Sequence, residues 1–137
     1  MNAIDDAELV ARLNELLEAE RAGARVALES IRDAQSETLA DLMRAVQADE
    51  ARWCAMLHRA ITALGAIPSS STGAFYGKAM AIGDWHERLA FLNRGQGWVV
   101  RKLRDLLPKV RQDGLRRELS GMLQAHEANI ARVNDSL

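Results

Sequence analysis

The chain has 137 residues, of which 48% are hydrophobic and 27% charged, so it can bury one core beneath a charged surface. The formal net charge is −1, which excludes the strong basic field that attracts nucleic acids or anionic membranes. The single cysteine, Cys54, excludes an intrachain disulfide. We therefore expect one domain over residues 1–137, with neither a nucleic acid nor a membrane as partner.

The N-terminus has no secretory signal pattern, because residues 1–6 lack a positive segment followed by an apolar run. No apolar stretch approaches the roughly 18 residues that are needed to span a bilayer. The expected compartment is therefore the cytoplasm.

Four long helices are predicted, because apolar residues recur at steps of three and four along most of the chain. The predicted helices cover about 6–31, 37–64, 85–107 and 113–134. Asp5 or Asp6 can cap the first, Asp84 can cap the third, and Gly65 is a stop for the second. Pro108 ends or kinks the third helix.

The lengths of the connections predict the topology. The first and last helix pairs are joined by short breaks, whereas about 66–83 is a long connection with Pro68 and two glycines. This order predicts an all-α four-helix bundle, built from two antiparallel helix hairpins joined by a long crossover loop. No alternating pattern of a β-strand occurs in the sequence.

One polar residue interrupts the apolar face of each predicted helix at a similar height. These residues are Glu20, Glu50, Gln96 and Glu127. Because the four faces meet in the core, we expect the four side chains to converge in the middle of the bundle. His126 precedes Glu127 and lies on the flank of the same face.

The two halves of the chain carry related patterns. Segments 47–51 and 124–128 both read Gln-Ala-x-Glu-Ala, which sets Glu50 against Glu127 at an offset of 77 residues. Glu20 and Gln96 are 76 residues apart, so both helix pairs agree to within one residue. This agreement favours an internal repeat of one helix hairpin.

The arrangement resembles the ferritin-like superfamily, and the resemblance covers essentially the whole chain. In di-iron members the first and third helices each supply one glutamate, and the second and fourth each supply a Glu-x-x-His motif. The resemblance assigns ligand roles to Glu20, Glu50 and Glu127, and it places Gln96 where the third-helix glutamate would be. It implies Fe or Mn as cofactor, iron storage or chemistry with O₂ or peroxide, and a homodimer.

The sequence departs from that ligand set at three positions. Trp53 and Ile130 stand where the motif histidines would be, and Gln96 lacks the charge of a glutamate. These departures favour a divergent carboxylate site that holds a single metal ion, if it holds one. His126 is either a displaced replacement for a missing imidazole or a half-exposed residue on a helix face.

Three buried glutamates need a partner, because an unpaired buried carboxylate costs several kcal/mol or takes up a proton. A cation can lie between them, and a set of oxygen ligands favours Mn, Mg, Ca or Fe. Alternatively, an arginine can pair with them; the nearest in sequence are Arg52, Arg94 and Arg101. In the third case the carboxyl groups are protonated and share hydrogen bonds with neighbouring glutamines.

Two further patterns have a simple and a functional interpretation. Cys54 and His58 follow Glu50 at successive helical turns, which makes either a second ligand face or an ordinary helix surface. Gly95 and Gly97 lie inside a predicted helix, where glycine is unfavourable. They serve either close packing, against Trp53 or Trp98, or room for a ligand beside Gln96.

Two functions remain open at the level of sequence. The first is a ferritin-like protein with a divergent carboxylate site, in which Glu20, Glu50 and Glu127 hold a metal ion and Gln96 completes or orients the site. The second is a metal-free, non-enzymatic bundle that acts through self-association or a protein partner. The residues decide neither whether the chain is an enzyme nor which reaction it would catalyse.

Overall fold

The computed structural model describes residues 3–137, and its helices agree closely with the predicted ones. They are α1 (Asp6–Arg32), α2 (Glu37–Ala63), α3 (Phe75–Met80), α4 (Trp85–Leu106) and α5 (Asp113–Asn134), with a 3₁₀ turn over Leu107–Lys109. The bounds of the four long helices are confirmed to within one residue. The short helix α3, inside the crossover, was not predicted from the sequence.

The predicted start and stop signals act as expected. The carboxylates of Asp5 and Asp84 each accept the backbone N–H of the residue three positions later, at 2.8 and 2.9 Å. The hydroxyl of Ser36 caps α2 in the same way. Gly65 follows α2 with a φ of 81°, a left-handed conformation that glycine adopts without strain.

Contacts between α1 and α4 establish the direction of the helices. Arg12, near the start of α1, pairs with Asp105 at the end of α4, at 3.2 Å. At the other end, the indole N–H of Trp85 donates to the carbonyl of Ser30 at 2.9 Å. α1 and α4 are therefore antiparallel, and the crossover joins two helices of the same direction. The predicted bundle of two hairpins is confirmed.

The core consists of two apolar parts separated by a polar layer. One part is built around Leu13, Leu57, Leu103 and Leu119. The other is built around Val26, Met43, Leu89 and Val133. Along each long helix one buried polar residue lies between these parts: Glu20, Glu50, Gln96 and His126. The long helices thus place four polar side chains at the middle of an otherwise apolar core.

The crossover is fixed to α1 by hydrogen bonds. The guanidinium of Arg21 donates to the carbonyls of Ser71 and Ser69 at 2.6 and 2.8 Å. Asn14 accepts the backbone N–H of Ser69 at 2.7 Å, and Glu18 accepts its hydroxyl at 2.6 Å. Because these three α1 residues lie at helical spacing, one face of α1 determines where the crossover runs.

Over residues 3–137, none of the helices has both the length and the apolar character that a membrane crossing requires.

Candidate metal centre

Two carboxylates enter the polar layer from α1 and α2. Glu20 and Glu50 are 1% and 2% exposed, as their positions on the predicted apolar faces required. Gly23, one turn after Glu20, makes room for Glu50: a Cβ added at this glycine would lie 3.0–3.2 Å from three atoms of the Glu50 carboxyl group. The sequence analysis missed this role, although a glycine in the middle of a helix was a signal for it.

On α5 the residue that faces the core is His126, and the prediction that Glu127 lies there is wrong. The Glu127 side chain is 44% exposed and pairs with Arg104 at the surface. One residue corresponds to a rotation of about 100° around a helix, so only one of the two neighbours can point inward. The buried face of α5 consists of Leu119, Met122, His126, Asn129 and Val133.

Glu20, Glu50 and His126 form one compact buried group. One donor atom from each residue lies within 4.8 Å of the other two. The Nε2 atom of His126 is 2.9 and 3.1 Å from the two carboxylate oxygens of Glu20. The three residues come from three different helices, so the bundle itself fixes their mutual positions.

The second ring nitrogen of His126 fixes the orientation of the imidazole. Nδ1 lies 2.9 Å from the carbonyl oxygen of Met122, which can only accept a hydrogen bond. Nδ1 therefore carries the proton, and the Nε2 lone pair of the neutral ring points toward the carboxylates. A histidine that binds a metal typically donates its other N–H to a carbonyl or carboxylate in this way.

The two carboxyl groups hold protons more tightly than ordinary glutamates. Burial raises the pKa of Glu20 from 4.5 to about 8, against a smaller opposing effect of its hydrogen bond with Glu50. Burial also raises the pKa of Glu50 well above 4.5, and the neighbouring carboxylate of Glu20 raises it further. At neutral pH the cluster therefore holds protons unless a cation takes their place.

The polar layer opens into a cavity of about 440 Å³ between α1, α4 and the crossover. Glu20, Glu50 and Gln96 line its inner end. Gln96 is 3% exposed, and neither its Oε1 nor its Nε2 has a hydrogen-bond partner among the described residues. The predicted core placement of Gln96 is thus confirmed, and its amide adds a neutral group to the site.

The remaining positions do not provide a second set of metal ligands. Trp53 is buried, and its indole nitrogen is a donor without a lone pair for a metal. Asn129, one turn after His126, donates from Nδ2 to Asp49 at 3.0 Å and is thereby held toward that residue. Two carboxylates and one imidazole would have to serve two dications. The residues present therefore do not fit a dinuclear iron centre.

The predicted pairing of arginine with the glutamates is wrong for the two arginines whose contacts are defined. Arg52 stacks on the ring of Trp53 at 4.6 Å, and Arg94 lies over Phe91 at 5.5 Å. Within residues 3–137 the cation-forming side chain that pairs with Glu20 is His126. A metal ion and protonation remain as the two ways to balance the buried carboxylates.

Cys54 does not add a ligand to this group. Burial, together with the carboxylates of Glu20 and Glu50, raises the pKa of its thiol from 9.0 to about 12. A thiol in this state is neither a nucleophile nor a ready metal ligand. His58 is exposed on α2, so the second ligand face considered for Cys54 and His58 does not form.

Comparisons with known proteins agree with the fold. A family model described as "Domain of unknown function (DUF6306)" matches residues 7–135. A comparison with curated proteins gave no significant match. Among solved structures, a crystal structure described as ferritin-like, diiron-carboxylate proteins from Bacillus anthracis superposes with a TM-score of 0.87. The two chains are 16% identical, and the match covers 98% of this chain and 99% of the other. The ferritin-like fold expected from the sequence is confirmed.

Proposed function

This chain belongs to the DUF6306 family, and we propose that it holds one divalent metal ion in the core of its ferritin-like bundle, with Glu20, Glu50 and His126 as ligands. The observation that carries the proposal is the convergence of three buried donor atoms within 4.8 Å of one another. Two carboxylates supply a charge of −2, which one divalent cation balances. The oriented Nε2 lone pair of His126 completes the set.

The chemical class of the donors indicates which ions to test. Carboxylate oxygens with one imidazole suit Mn and Fe, and imidazole also admits Zn. We propose Fe or Mn, the ions that the ferritin-like resemblance implies. A bound Fe or Mn ion would supply Lewis acidity and one-electron redox chemistry at the inner end of the cavity.

The protein's own contribution to such a site can be assigned residue by residue. Glu20 and Glu50 release their protons and bind the ion, and Met122 holds His126 in the tautomer that binds. Gly23 leaves the space that the Glu50 carboxyl group occupies. The apolar residues on both sides of the polar layer keep water away, which strengthens every electrostatic interaction there.

The alternative function is a metal-free bundle that acts through self-association or a protein partner. The raised pKa values of Glu20 and Glu50 support it to this extent: protons alone can neutralise the cluster at neutral pH. The homodimer and the cytoplasmic location also remain predictions.

Metal content after expression in iron- and manganese-supplemented medium separates the two functions. Wild type and Glu127→Gln are expected to retain close to one ion per chain, because Glu127 lies at the surface. Glu50→Gln is expected to lose it, because the amide has no charge and only one oxygen to offer. The two variants make the same chemical change on neighbouring helices, so unequal loss reports the position and not the substitution. Absence of metal from all three proteins would favour the alternative.

A further inference from the structure

The cavity that ends at the polar layer has the size and lining of a binding pocket for a small organic molecule. Its volume of about 440 Å³ lies within the range of roughly 300–1,000 Å³ that is usual for such pockets. The rings of Phe75, Phe91 and Trp98 contribute to its walls, whereas its inner end is polar. Because Gly73 and Arg94 at its edge are exposed, the cavity reaches the surface.

The outer wall of this cavity is built into the fold. Phe75, the first residue of α3, stacks on Phe91 of α4 with ring centroids 4.9 Å apart. A Cβ at Gly95 would lie 2.8 Å from the Phe75 ring, so this glycine allows α3 to lie against α4. The glycine thus serves close packing, but against Phe75 and not against Trp53 or Trp98. With Arg21 holding the preceding loop, the wall is formed before any ligand binds.

Gln96 gives the cavity a specific polar feature. Its amide is almost fully buried and offers one donor and one acceptor, both without a partner among residues 3–137. Leaving a buried polar group unpaired costs about 1–3 kcal/mol, so a molecule that pairs with both atoms recovers that free energy. A primary amide or a lactam does so, because it carries a donor and an acceptor side by side.

The charges around the cavity select against an anion. Glu20 and Glu50 lie at its inner end, and Glu15 and Glu18 line its outer part, opposed by Arg94 alone among the cations of the lining. A carboxylate ligand would meet this acidic surface, and it would also lack the N–H that Gln96 Oε1 can accept. A neutral amide avoids both penalties.

We propose that this cavity binds a small molecule with an apolar, ring-sized body and a neutral amide-type head, and that Gln96 recognises the head. The body lies between the aromatic walls, and the head makes paired hydrogen bonds with Oε1 and Nε2 of Gln96. The proposal goes beyond metal binding and does not require it, since the cavity and the Gln96 amide are present in the metal-free chain.

Titration of the chelator-treated, metal-free protein with benzamide, followed by NMR, tests the proposal. Benzamide is expected to bind about tenfold more tightly than acetophenone, which has nearly the same shape but no N–H to pair with Gln96 Oε1. The shifted resonances are expected to belong to residues that line the cavity. Because both probes are compared on wild type, this part of the test does not depend on how a variant folds.

Two variants locate the head group. Gln96→Leu is expected to abolish the advantage of benzamide over acetophenone, and Gln124→Leu, the same change at an exposed position of α5, is expected to leave it intact. Equal binding of the two probes to wild type would overturn the proposal. So would an advantage that survives in Gln96→Leu, or absence of benzamide binding up to about 10 mM, a concentration generous for a molecule of this size. Metal binding is measured separately, so its failure and the failure of this proposal are distinguishable.

Discussion

The metal-free protein is expected to become less stable as the pH rises from about 5 to about 8, by about 1.4 kcal/mol per pH unit through Glu20 alone. The unfolded chain releases the Glu20 proton near its ordinary pKa of 4.5, whereas the folded chain keeps it until about pH 8. The stabilisation is therefore fully present below 4.5 and is lost as the pH rises through 8. The raised pKa of Glu50 acts in the same direction.

Urea unfolding of chelator-treated protein at several pH values measures this slope. Glu20→Gln is the matched variant, because glutamine resembles the protonated acid and cannot ionise. Its stability is expected to fall less steeply than that of wild type and to exceed it at pH 8. A wild-type stability that is constant or rises over this range, with the same slope in Glu20→Gln, would contradict the buried, proton-holding cluster.

Metal ions are expected to reverse this loss, because they bind the ionised carboxylates. Mn(II) or anaerobic Fe(II) at 100 times Kd should raise the free energy of unfolding by about 2.7 kcal/mol. For a chain of this length that corresponds to a rise in Tm of roughly 8–13 °C. The rise should be smaller at low pH, where protons compete for Glu20 and Glu50.

The histidine variants show whether the predicted site produces this stabilisation. His126→Leu removes the oriented Nε2 and is expected to lose most of the rise in Tm. His58→Leu, which replaces an exposed histidine of α2, is expected to keep it. Thermal unfolding followed by circular dichroism, with and without the ion, provides the measurement. An equal rise in both variants would place the metal elsewhere in the chain.

The fold could be predicted from the sequence because its signals are local and redundant. Each long helix has an apolar stripe, and the caps at Asp5 and Asp84 and the stop at Gly65 fix three helix ends. The crossover could be recognised by its length, but α3 could not be predicted. That helix has only six residues, and it is held by the contact of Phe75 with Gly95 and Phe91, which are distant in sequence.

The site could be predicted on three helices and not on the fourth. On α5 two neighbouring stripes compete, and the one with Leu123, Glu127 and Ile130 is the more apolar in sequence. The observed face buries His126 and Asn129 instead, because Glu20, Met122 and Asp49 satisfy their polar atoms. Such partners come from other helices or from the fold itself, so hydrophobic periodicity does not register them.

The shared pentapeptide in α2 and α5 reinforced that error. It aligns Glu50 with Glu127 at an offset of 77 residues, whereas the residue of α5 that meets Glu50 in the core is His126, at an offset of 76. The offset of 76 is also that between Glu20 and Gln96. In space the two hairpins therefore correspond with a single offset, and the internal repeat stays a prediction with a corrected register.

Native mass spectrometry of the wild-type chain, loaded anaerobically with Fe(II) or with Mn(II), tests the central claim most directly. The donor set of Glu20, Glu50 and His126 predicts a plateau at one tightly bound ion per chain. Two ions per chain at the plateau would contradict the single-metal site, and no retained ion would contradict metal binding altogether.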